Sequence, residues 1–149
     1  MTMEQNPFAS FNVEIPRKYS DQVKSYCKTG TNHDSYEYAP FDRQVDMWYF
    51  SFLYALRLDL EPTQERETSN VTAASILSTD SYRISHIQLA FLGYHKKIDD
   101  LSNHRKVFTF ALEMANAGFP YLIDLLKNAE DRPIWNCLDD IEKLMSQLD

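Results

Sequence analysis

Residues 40–60 read Pro40-Phe41-Asp42-Arg43-Gln44-Val45-Asp46-Met47-Trp48-Tyr49-Phe50-Ser51-Phe52-Leu53-Tyr54-Ala55-Leu56-Arg57-Leu58-Asp59-Leu60. Asp42 stands just before the apolar run, where its carboxylate can accept from a free amide of a first helical turn, so it is expected to cap a helix over about 42–60. Val45, Trp48, Tyr49, Phe52, Leu53, Leu56 and Leu60 recur at three- and four-residue steps and share one face. Met47, Phe50, Tyr54 and Leu58 occupy the opposite side. A helix apolar almost all round is packed on several sides. It is too short and too charged to span a bilayer, which takes about 20 mainly apolar residues. Each of its large aromatics, once buried, contributes about 2–3 kcal/mol, so this helix is expected to nucleate the core.

Working outward, 149 residues suit a single domain. Hydrophobic content of 44% and charged content of 25% are ordinary for a globular chain. Only three glycines are present, which leaves little material for tight hairpins or a phosphate-cradling loop. The expected fold class is all-α: a compact bundle of about six helices around the central one. Residues 1–19 form a short extended N-terminal arm, and residues 20–149 form one helical domain. In the arm, Phe11, Val13 and Ile15 alternate with Asn12 and Glu14 before Pro16. An isolated strand is not stable, so it must pack on the body, pair with another strand or lie on a partner. The last option leaves a homo-oligomer open.

A short helix is expected from Ser20 or Asp21 to about Lys28, stopped by Gly30. Residues 71–77 are small and β-branched and are read as helical, with a short strand as the alternative. Ser78, Thr79 and Asp80 offer caps for a helix to about Tyr94 whose support is Tyr82, Ile84, Ile87, Leu89, Ala90 and Phe91. Asn103 opens a helix with Val107, Phe108, Phe110, Ala111, Met114 and Ala115 inward, and Gly118 is read as its C-terminal cap. Pro120 then begins a separate helix, and Pro133 a last amphipathic one carrying Trp135, Leu138, Ile141, Leu144, Met145 and Leu148.

Net charge is −7 and the isoelectric point is near 5.0. Duplex binding draws on clustered Lys and Arg that release counterions, so direct DNA binding is disfavoured. Cys27 and Cys137 are expected as reduced thiols of a cytoplasmic protein. Residues 1–10 have no basic or apolar segment of a signal peptide, and no transmembrane segment is expected.

Catalytic signals are sparse. His33, His86, His95 and His104 show no zinc spacing with the cysteines. His95 with Asp99 and Asp100 is the only grouping near ligand spacing, and turn aspartates are more often caps. Asp42 with Asp46, Asp99 with Asp100 and Asp139 with Asp140 are paired carboxylates without the cleft that acid–base work needs. No catalytic residue, metal or cofactor is therefore assigned, and no enzymatic activity is expected. Tyr, Trp and Arg dominate interface hot spots, which makes Tyr36, Tyr38, Arg43, Trp48 and Arg57 the candidate interaction residues.

Two stretches carry a family resemblance: Pro40-Phe41 through Asp46-Met47-Trp48-Tyr49-Phe50 to Leu56, and Ala111-Leu112-Glu113-Met114-Ala115-Asn116-Ala117-Gly118 followed by Leu122 to Leu126. Together, over roughly residues 36–127, the chain resembles the small helical accessory proteins of bacterial DNA-phosphorothioation (Dnd-type) modification and restriction systems. Asp46, Glu113, Asn116 and Gly118 match the pattern, and each has a structural role to play at a helix start or junction. The glycine that usually ends the family's central helix is missing, and the arm at 11–15 has no counterpart. The resemblance implies a non-catalytic protein-interaction subunit of an anti-phage defence or DNA-modification complex, partnered by larger defence subunits. The alternative is an acidic phage- or plasmid-encoded inhibitor of a nucleic-acid-binding protein, although Asp and Glu spread along the chain rather than massing in one segment.

Overall fold

The computed structural model describes residues 6–28 and 39–127, together with 138, 141–143 and 145. Strand β1 (Asn12–Pro16) leads through a 3-10 turn (Arg17–Tyr19) into α1 (Ser20–Ser25). Helix α2 (Gln44–Arg57) follows, then β2 (Thr68–Ala73), a 3-10 segment (Ala74–Asp80) and α3 (Tyr82–His95). A second 3-10 segment (Ile98–Ser102) precedes α4 (His104–Lys127). No helix among the described residues is long and apolar enough to cross a membrane.

The fold is mainly helical, but the all-α expectation is corrected by a two-stranded antiparallel sheet of β1 and β2. Val13 faces Thr72 and Glu14 faces Asn70, so Val71 is an extra residue that bends β2. Residues 71–77 thus divide: the strand alternative holds for 71–73, and the helical reading only for 74–77, as a 3-10 helix. Thr68, Val71 and Thr72 suit a pleated, half-buried surface once a partner strand lies beside them. The arm takes two of the options its sequence leaves: it pairs with a second strand and packs on the body. Phe8, Val13 and Ile15 have no exposed surface, and the Phe8 and Phe11 rings pack on Phe108 at 5.2 and 5.6 Å.

The expected central helix is α2, shorter than anticipated at both ends. Its N-cap is Arg43 rather than Asp42. Asp46, at the third helical position, reaches back to accept the Arg43 amide at 3.1 Å, while Asp42 is exposed and lies 4.0 Å from the Lys28 ammonium. The helix ends on Asp59, whose φ is 60°, a left-handed position that glycine most often takes. The Leu60 amide donates to the Ala55 carbonyl and the Asp59 amide to Leu56, the paired bonds of a Schellman cap.

Helix α4 runs unbroken through Gly118 and Pro120, where a stop and a new start were expected. A Cβ on Gly118 would lie 2.3 Å from the Ser51 carbonyl oxygen and 2.7 Å from its hydroxyl. Gly118 is therefore where α2 and α4 touch, not where α4 ends. Ser51 donates to the Ala115 carbonyl at 2.8 Å across the same crossing. The main core forms between these helices, with Trp48 against Phe108 and Phe52 against Phe110. Of the apolar positions expected to support α3, Ile87 and Phe91 are buried, whereas Tyr82 and Leu89 are 52% and 65% exposed.

Candidate interaction site

The first turn of α2 and the start of α3 meet in a cluster of four ions. Asp46 sits between two arginines: Arg43 donates to it from Nη2 at 2.9 Å and Nε at 3.2 Å, and Arg83 from Nη1 at 3.0 Å. Arg43 also reaches Asp80 at 3.1 Å, so one guanidinium bridges the two helix starts. Burial alone would raise the Asp46 carboxyl. The hydrogen bonds and charges of Arg43 and Arg83 outweigh it and hold the group below the ordinary carboxylate value.

An aromatic layer lies against these ions. The Arg83 guanidinium is 4.6 Å from the Tyr49 ring centre and 5.8 Å from that of Tyr82. The Tyr49 hydroxyl bonds to Nδ1 of His86, and the two rings stack at 6.1 Å. Burial pushes the Tyr49 phenol up to about 12, with Arg83 opposing and Tyr82 adding to it. Tyr49 is therefore a neutral phenol at ordinary pH. The two arginines and two aspartates cancel in formal charge, so the cluster fixes geometry rather than projecting a field. It seats the beginning of α3, from which Tyr82, His86 and Leu89 stand outward.

A smaller concavity of about 310 Å³ lies at the other end of α3, lined by Tyr94, His95, Lys106, Phe110 and Glu113 among others. Tyr94 donates to Glu61 at 2.5 Å, and Lys106 pairs with Asp100 at 3.0 Å. The His95 ring stacks on Phe91 at 4.2 Å. The imagined grouping of His95, Asp99 and Asp100 does not form: among the described residues no three His, Cys, Asp or Glu side chains converge.

Of the five candidate interaction residues, the three that are described, Arg43, Trp48 and Arg57, do not share one surface. Tyr36 and Tyr38 lie outside the described residues. Arg43 belongs to the ion cluster. Trp48 is fully buried, and its reading as an interface residue is corrected: it lies on the side of α2 that meets Phe108. Arg57 is exposed at the far end of α2, about 20 Å from Arg43 along the helix. The four pattern residues all have structural partners. Besides Asp46 and Gly118, Asn116 donates to the Thr63 carbonyl at 3.0 Å, and the Glu113 carbonyl accepts the Thr63 amide at 2.9 Å, tying the 58–67 connection to α4.

Asp80, Arg83, Tyr49 and His86 were not read from the sequence as interaction residues. Tyr49 and His86 are 37 residues apart, and nothing local to either points to the other. The one available signal was the placement of Arg43 and Asp46 at a helix start.

No family model, curated protein or solved structure matches the chain.

Proposed function

We propose that the chain is a non-catalytic protein-interaction subunit of a bacterial anti-phage defence or DNA-modification and restriction complex, acting in the cytoplasm. One observation supports the interaction role: large apolar side chains stand in solvent on α3 and the turn after it. Tyr82, Leu89 and Ile98 are 52%, 65% and 69% exposed. Exposed apolar groups on a seated helix are the usual means of docking on another protein. The polar groups at the base of α3 are engaged with one another, which keeps the helix start fixed for docking. The resemblance to Dnd-type accessory proteins supplies the setting, with larger subunits of such a system as partners. The net charge of −7 argues against DNA as a direct target.

The test is affinity purification of the tagged chain from its host, with nuclease treatment. An ATPase, nuclease or modification enzyme recovered in fixed stoichiometry, and lost with Leu89→Glu, is the expected result. Recovery of the tagged chain alone would remove the reading. Capture of a nucleic-acid-binding protein from a competing genome would replace it with an inhibitor.

A further inference from the structure

Asn116 lies in the middle of α4 and is 6% exposed. Its carboxamide has two ends. Nδ2 donates to the Thr63 carbonyl at 3.0 Å. A carbonyl only accepts, so this bond fixes which way round the amide stands and leaves Oδ1 as the other end. Oδ1 is buried, and no group among the described residues donates to it. The backbone carbonyl of the same residue lacks its helical donor as well, because the residue four positions on is Pro120, which has no amide. Buried polar atoms are nearly always paired, so a residue short of two donors calls for a group that supplies them.

Asn116 and Pro120 line one concavity of about 360 Å³, with Tyr19, Tyr121, Lys18 and Glu65 around them. A helical carbonyl points toward the residue four places on, so the Asn116 carbonyl is directed at Pro120 and lies on this wall. The volume suits a small ligand. The chain itself shows which chemical group the rim takes. The Lys18 ammonium stands 5.3 Å from the centre of the Tyr19 ring and 3.3 Å from Glu65. The Lys18 side chain is 60% exposed, so it can swing away at little cost, whereas Glu65 is 20% exposed and stays. Tyr19 is held by Phe119, with ring centres 6.3 Å apart. Glu61 also lines the concavity, so two carboxylates face one ammonium. Unpaired acceptors, an aromatic face and an excess of negative charge favour a cation that carries donors. A primary ammonium brings three donors and no acceptor, and its stem has Tyr121 and Pro120 to lie on.

We infer that this concavity is a binding site for a primary ammonium group on an alkyl stem, with Asn116 and Glu65 as its acceptors and the Tyr19 ring as the face it stands over. Lys18 is the chain's own competitor for Glu65 and Tyr19. The group has two sources, a free alkylamine or a lysine side chain of another protein. No residue of α3 lines the site, so it stands or falls independently of the docking role.

Titration of the purified, isotope-labelled full chain with butylammonium chloride tests it, followed in amide proton–nitrogen spectra against sodium chloride at equal ionic strength. The side-chain amide of Asn116 and the backbone amides of Glu65 and Ala117 should shift saturably, with a Kd of about 1–10 mM. A second titration with Nα-acetyl-lysine methylamide separates the sources. Binding about tenfold tighter than butylammonium assigns the site to a lysine of another protein, and equal or weaker binding assigns it to a free amine; either result keeps the site. Lys18→Gln removes the competitor and should tighten butylammonium binding about threefold, while Glu65→Gln should weaken it by about the same factor. Pro120→Ala supplies the missing amide to the Asn116 carbonyl and should weaken binding about threefold or more. These three positions are exposed or half-buried, and circular dichroism checks that each variant stays folded. Shifts no larger than those in sodium chloride mean that Asn116 holds water only, and overturn the proposal. So does saturable binding that Lys18→Gln and Pro120→Ala leave unchanged, because the amine would then sit elsewhere on the chain.

Discussion

Asp46 carries two duties in one carboxylate: it caps α2 through the Arg43 amide and neutralises Arg43 and Arg83. Its folded pKa lies below the ordinary 3.8. Its contribution to stability is therefore complete above the unfolded value and is lost as pH falls through the folded one. Asp46→Asn should lower the urea midpoint at about pH 6, and the gap from the parent chain should close as the pH falls below the ordinary carboxylate range and through the lowered value of the folded state. A gap that stays constant across that window would show that the charge is not what Asp46 contributes. Gly118 is the second residue on which the fold turns. A methyl group there meets backbone at Ser51, which cannot swing aside. Gly118→Ala should cost about 2–3 kcal/mol, read as a drop of several degrees in the thermal midpoint. An unchanged midpoint would mean that α2 and α4 separate at little cost.

Elements were legible where their cause is local. The apolar period over 44–57 named α2 and most of its buried face, and Asn103 was rightly placed before α4, where its Oδ1 accepts the Lys106 amide at 3.2 Å. The misreadings share a different cause. Gly118 and Pro120 carry local stop and start signals, yet packing against Ser51 overrides them, and α4 passes straight through. β2 looked helical because the strand that pairs with it lies some 55 residues earlier. The ion–aromatic cluster joins residues of α2 to residues near the start of α3, so only its Arg43–Asp46 half left a trace in sequence. One consequence for α4 is measurable. Pro120 lacks the amide that would donate to the Asn116 carbonyl, and its ring crowds that carbonyl. Pro120 is exposed, so Pro120→Ala should raise stability by up to about 3 kcal/mol. A lower thermal midpoint would instead mean that the proline ring packs on its surroundings and that this packing matters more than the lost hydrogen bond.

At the scale of the whole molecule, the N-terminal arm is what turns a set of helices into a closed body. β1 supplies one of the two strands. The Arg17 amide and the Phe11 carbonyl extend the ladder at either end, bonding to the Glu67 carbonyl and the Ala74 amide. Phe8, Val13 and Ile15 are fully buried, and Phe108 collects the rings of Phe8, Phe11 and Trp48 around itself. An arm with this role is committed to its own chain. Removing residues 1–16 uncovers those contacts and leaves β2 without a partner. Burial of each large apolar side chain is worth about 1.5–3 kcal/mol, and a domain of this size has only about 5–15 kcal/mol in total. The truncated chain, residues 17–149, should therefore be unfolded or nearly so, with collapsed dispersion in its amide and methyl proton spectrum. If it keeps a dispersed spectrum and a cooperative melt near that of the full chain, the arm is an accessory, and the helices close their core without it.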